Sequence, residues 1–76
     1  MSPAESEHSG IHCRLDELLG SRGMTLTRLS ELVGVSVVNL SILKNDRARA
    51  IRYSTLAAVC AALDCEVGEL LVRERT

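Results

Sequence analysis

The stretch Thr25-Leu26-Thr27-Arg28-Leu29-Ser30-Glu31-Leu32-Val33-Gly34-Val35-Ser36 decides how the rest of the chain is read. Thr25 is a residue type that caps a helix N-terminus, because its side-chain oxygen accepts a bond from a backbone N–H that has no partner inside the helix. Leu26, Leu29, Leu32 and Val33 then recur at helical spacing and predict one apolar face. Gly34 follows and supplies the left-handed backbone conformation that ends a helix. Ser36 is the next cap, two residues on, and opens another helix whose inward face is Leu40 and Leu43, with Val35 packed at the turn. Ser30 puts a small residue where the two helices cross.

Working upstream, Ile11, Leu15, Leu18 and Leu19 fall at i, i+4, i+7 and i+8, which predicts a helix that Arg22-Gly23 terminates. Ile11, Cys13 and Leu15 also alternate, the pattern of a short strand, so residues 11–14 fit either element and the helix is placed from about Arg14 onward. Residues 1–10 are polar, carry Glu5, Glu7 and the only proline, and have no apolar period; they read as a disordered tail. Downstream, Lys44 to Arg52 is a loop with Asn45-Asp46 at its turn. Ser54 is the expected cap of a fourth helix bearing Leu56, Val59, Cys60 and Leu63. Asp64-Cys65 makes a tight connection, and a final short helix from Val67 to Val72 presents Leu70 and Leu71, with Arg73 to Thr76 fraying. The expectation is an all-α fold, five short helices in one domain over residues 11–76.

A chain of 76 residues has room for one such domain. Its longest apolar run, Leu56 to Leu63, is far short of the roughly 20 residues of a spanning helix, so no membrane role is expected. Nothing resembling a signal peptide opens the chain. The three cysteines, Cys13, Cys60 and Cys65, are an odd set without paired spacing, which argues against a disulfide framework and for the cytoplasm. His8, His12 and Cys13 lie close in sequence, but zinc needs four ligands and usually close cysteine pairs. Small buried thiols account for the cysteines better, and no metal or other cofactor is expected. With no Phe or Trp and Tyr53 as the only Tyr, single-strand reading by base stacking is excluded as well.

Two short helices joined by Gly34-Val35-Ser36 have the geometry of a helix-turn-helix, in which the first helix braces against the DNA backbone and the second lies in the major groove. The sequence resembles the Cro/repressor-type, XRE-like helix-turn-helix family, whose domain is the five-helix bundle of the lambda repressor type. Three stretches carry the resemblance: Leu29 to Ser36; Leu43-Lys44-Asn45-Asp46-Arg47; and Leu56 through Leu63-Asp64-Cys65-Glu66-Val67-Gly68-Glu69-Leu70-Leu71. It covers roughly Leu15 to Val72.

The resemblance implies that Ser36, Val37 and Val38 start the recognition helix and face bases, with Asn39, Ser41 and Ile42 further along the same edge. It places Thr25, Arg28, Lys44, Asn45, Arg47, Arg49 and Arg52 toward phosphates. Two departures matter. Asp46 stands where relatives usually have glycine. Val37, Val38 and Ile42 are aliphatic where many repressors carry hydrogen-bonding side chains, so they can pack on thymine methyls but cannot make bidentate bonds to G or A. Specificity then rests more on Asn39, Ser41, Lys44 and DNA shape.

The overall charge of -1 hides its distribution. From Ile11 to Arg52 the chain has Arg14, Arg22, Arg28, Lys44, Arg47, Arg49 and Arg52 against Asp16, Glu17, Glu31 and Asp46, a net of +3. Each flank carries -2. Four bases and one acid lie between Lys44 and Arg52, directly after the recognition helix, where phosphate neutralisation supplies non-specific affinity. No nucleophile–base–acid set and no glycine-rich phosphate loop is present, so an enzyme is not expected. The expected function is a sequence-specific regulator of transcription, of repressor type, binding duplex DNA as a homodimer without a small-molecule ligand. The apolar end, Leu70 to Val72, is a candidate dimer surface or the closure of the core. The alternative is a protein-interaction module that docks a partner through Val37, Val38 and Ile42.

Overall fold

The computed structural model of the chain describes residues 10–73; the expected tail thus lies, apart from Gly10, outside the described residues, as do residues 74–76. The elements in chain order are β1 (Ile11–Cys13), α1 (Leu15–Arg22), α2 (Leu26–Val33), α3 (Val37–Lys44), α4 (Tyr53–Leu63), α5 (Val67–Leu70) and β2 (Leu71–Arg73). The five-helix bundle is as expected. To it the structure adds a two-stranded antiparallel ribbon, with Ile11 opposite Arg73, His12 opposite Val72 and Cys13 opposite Leu71.

Every helix contributes to one core. Leu15 of α1, Leu29 of α2, Leu40 of α3, Val59 and Leu63 of α4 and Leu70 of α5 are its fully buried side chains. Each is worth about 1.5–3 kcal/mol relative to exposure. Helices of 4–11 residues are marginal on their own, so this shared core is what holds them. No described helix is long and apolar enough to cross a membrane.

The local signals at α2 and α3 behave as expected. The Thr25 hydroxyl accepts from Arg28 N–H at 3.0 Å and the Ser36 hydroxyl from Asn39 N–H at 3.1 Å, each satisfying an otherwise unpaired first-turn donor. Gly34, at φ 74°, ends α2 in the left-handed region, and its N–H reaches the Ser30 carbonyl at 2.9 Å.

Several expectations are corrected. Of the two elements left open for residues 11–14, residues 11–13 take the strand, and Ile11 is largely exposed instead of continuing the α1 face. The last helix stops at Leu70, and Leu71, Val72 and Arg73 are extended, because a single helical turn holds few internal hydrogen bonds while β1 offers a ladder. Arg73 is therefore paired instead of frayed. The cap of α4 is Arg52, with Tyr53 already helical, so Ser54 lies inside the first turn. Leu32, expected on the inner face of α2, is 47% exposed, since Leu29 fills the core and Leu26 and Val33 pack at its margin. Leu56 is half-buried at the same margin.

Candidate nucleic-acid interface

The chain bends by 117° between α2 and α3, within the range of about 90–120° for a helix-turn-helix. Ser30 fixes this bend: its hydroxyl donates to the Val35 carbonyl at 2.6 Å, tying α2 to the turn. Gly34, Val35 and Ser36 therefore have no slack, and the axis of α3 is set by contacts inside the motif.

On α3 the buried Leu40 and Leu43 anchor one side to the core. At about 100° per residue, the opposite edge consists of Val38, Ser41 and Ile42, with Val37 and Asn39 on its borders. Val38 is 68% exposed and Val37 and Ile42 about 40%, while Ser36 and Asn39 are exposed and Ser41 is half-buried. All six residues expected to face bases thus lie on the free surface of α3 or at its cap. Ser41 is partly engaged, with Asn45 Nδ2 donating to its hydroxyl at 3.4 Å.

The residues expected at phosphates divide into two groups. Arg47, Arg49 and Arg52 line a surface cleft of about 340 Å³ together with Asn39 and Ile42 of α3. The loop folds back along α3, its Arg47 N–H bonded to the Ile42 carbonyl at 2.9 Å. Arg47 and Arg52 form no ion pair among the described residues. The other four lie outside this cleft. Thr25 caps α2, and Arg28 pairs with Glu31 at 3.2 Å in an exposed i, i+3 pair. Lys44 reaches toward Asp16 of α1 at 3.9 Å, and Asn45 follows the last turn of α3 with its amide on Ser41.

Asp46 has a role that sequence reading missed. Its φ of 60° explains why a glycine suits this position, and Asp is among the residues that tolerate the left-handed region. Its carboxylate turns to β1: Oδ1 accepts from Cys13 N–H at 2.7 Å and Oδ2 lies 2.6 Å from His12 Nδ1. This acid, set among residues expected at phosphates, braces the end of α3 against the ribbon. The only signal in the sequence was the departure from glycine itself.

Residues 14–75 match the profile of a Cro/C1-type HTH DNA-binding domain. The chain belongs to the Cro/C1-type helix-turn-helix family. An HTH-type transcriptional regulator of Bacillus subtilis (strain 168), YozG, itself uncharacterised, is 54% identical over 61 residues, which are 80% of this chain and 73% of YozG. Among solved structures, the clp gene regulator ClgR of Corynebacterium glutamicum superposes with a TM-score of 0.66 at 34% identity, over 72% of this chain and 57% of ClgR. The SinR/SinI protein complex superposes with a TM-score of 0.68 at 27% identity, over 74% of this chain and 54% of the matched one. The chain thus spans little more than half of either solved neighbour. As a Cro/C1-type domain it has α2 and α3 in the positions of the helix-turn-helix pair.

Proposed function

We propose that the protein is a transcriptional regulator that binds duplex DNA with α3 in the major groove and the 45–52 loop on the flanking phosphates. The observation that carries this reading is the cleft in which Asn39 and Ile42 of α3 adjoin Arg47, Arg49 and Arg52. One surface holds base-edge readers beside cations that neutralise backbone charge, the division of labour that DNA recognition needs. Arg28 and Thr25 at the start of α2, with Lys44 and Asn45 at the end of α3, supply further backbone contacts.

The aliphatic edge of Val37, Val38 and Ile42 selects for thymine methyls, while Ser36, Asn39 and Ser41 supply hydrogen bonds to base edges. One domain covers only a few base pairs. Useful affinity therefore takes two copies on half-sites about 34 Å apart, and the protein acts as a cytoplasmic homodimer of repressor type. Leu70 is fully buried and belongs to the core, which removes it from any dimer surface; Leu71 and Val72 are half-buried. No observation favours the alternative of a partner-docking module on the α3 patch.

Selection of bound sequences from random duplex DNA tests the proposal. The expected outcome is an enriched, two-fold symmetric site rich in A·T steps opposite the valines. Recovery of no enriched duplex, at low salt where binding is strongest, overturns it.

A further inference from the structure

Helix α4 ends in a Schellman motif whose geometry is complete. Asp64 is left-handed at φ 52° and ψ 55°, the Cys65 N–H bonds the Cys60 carbonyl at 3.0 Å, and the Asp64 N–H bonds the Ala61 carbonyl at 3.2 Å. This motif sets the residue after the left-handed position against the residue one turn back in the helix, normally as an apolar contact. Here both positions are cysteines. The 6→1 bond holds the two cysteines at the positions where this motif normally makes a side-chain contact, the juxtaposition an intrachain disulfide needs.

The two thiols are free. Their environments differ. Cys60 is buried, and desolvation first, then the neighbouring Cys65, push its pKa up to about 11, so it keeps its proton. Cys65 is half-buried and meets solvent first. Arg22 holds the same corner, donating to the carbonyls of Leu63 at 2.7 Å and Asp64 at 3.3 Å, so the helix end stays in register.

We propose that Cys60 and Cys65 are a peroxide-responsive pair that closes to an intrachain disulfide in the folded protein. The sulfur of deprotonated Cys65 attacks one oxygen of hydrogen peroxide; the O–O bond breaks, hydroxide leaves and takes up a proton as water, and Cys65 becomes a sulfenic acid. The Cys60 sulfur then attacks the Cys65 sulfur, losing its proton as the S–O bond breaks and a second water leaves. Two thiols give up two electrons and two protons, and one peroxide becomes two waters. The disulfide locks the corner from which α5 and β2 hang. Cys13, also buried, with its N–H held by Asp46, is the competing thiol.

The experiment treats the folded full chain with hydrogen peroxide, alkylates remaining thiols and maps tryptic peptides without reduction. Cys60 and Cys65 share the peptide from Tyr53 to Arg73, with no Lys or Arg between them, whereas Cys13 falls on a separate peptide. The expected result is that the Tyr53–Arg73 peptide loses two hydrogens and escapes alkylation, dithiothreitol restores it, and Cys13 stays alkylated. In Cys60→Ser the reaction stops at a sulfenic acid on Cys65, trapped by dimedone. Because Cys60 lies in the core, that variant is read only if its circular dichroism matches wild type, and the wild-type map decides regardless. Two free thiols after treatment, a crosslink through Cys13, or an interchain dimer overturns the proposal.

Discussion

Replacing Arg47 by alanine tests the DNA-binding surface most directly, because its effect has a size as well as a sign. Arg47, Arg49 and Arg52 line the cleft beside α3. If each neutralises one phosphate, these three arginines contribute about −2.7 per protomer to the slope of log affinity against log salt, and about −5.4 for two protomers on two half-sites. Through them alone affinity falls about 2,000-fold between 50 and 200 mM salt. Arg47→Ala removes one contact per protomer, reducing their share of the slope to about −3.6 and the fall they cause to about 150-fold. Fluorescence anisotropy on a labelled duplex at several salt concentrations reads both. Arg22→Ala is the matched control: its guanidinium caps the end of α4, so it costs stability and leaves the slope alone. An unchanged slope in Arg47→Ala, or wild-type binding indifferent to salt, refutes the assignment of this loop to phosphates.

Three further outcomes are expected. Val38→Ala, at a side chain 68% exposed, changes unfolding free energy by less than about 0.5 kcal/mol but alters the sequence selected from random duplexes; a large loss in urea denaturation would place Val38 in the core. Gly34→Ala loses about 1–2 kcal/mol in the same assay, entirely from the left-handed backbone, since an added Cβ meets nothing within 4 Å; a neutral result would mean the turn relaxes. Asp46→Ala and Asp46→Gly both release β1 from the end of α3, but alanine loses about 1 kcal/mol more because glycine adopts φ 60° freely. Equal losses in the two variants would show that the backbone conformation contributes nothing and that only the bonds to His12 and Cys13 count.

What could be read in advance was whatever local chemistry decides. Thr25, Gly34 and Ser36 act within three or four residues of themselves, so their roles as caps and terminator were visible in one dimension. The cores of α2 and α3 followed from spacing alone, except at Leu32, where the width of the buried stripe depends on the neighbouring helices. The ribbon was hidden for the opposite reason. Leu70-Leu71-Val72 is equally apolar as helix or strand, and what makes it a strand is a partner at residues 11–13, at the other end of the sequence. At α4, Ser54 has the better capping chemistry, yet the extended backbone at Arg52 starts the helix earlier. The candidate interface shows the same division: Ser36, Val37, Val38, Asn39, Ser41 and Ile42 are what the family resemblance implies, whereas the grouping of Arg47, Arg49 and Arg52 apart from Arg28 and Lys44 depends on how the loop folds back. Asp46 departs visibly from the family's glycine, but its partners lie 33 and 34 residues upstream.

The β1–β2 pairing has an architectural consequence for anyone rewiring this protein. Ile11 and Arg73 are directly opposite each other in an antiparallel ladder, where facing Cα atoms are about 4.5–5.5 Å apart. A linker of only a few residues therefore joins residue 73 back to residue 11, and the chain can be reopened elsewhere. The exposed loop between α3 and α4 is the wrong place, because it carries the arginines; the turn at Gly23 between α1 and α2 is exposed and lies outside the helix-turn-helix pair. A permutant opened there carries α2, turn and α3 as an uninterrupted cassette, with fused partners attached at a point of the designer's choosing.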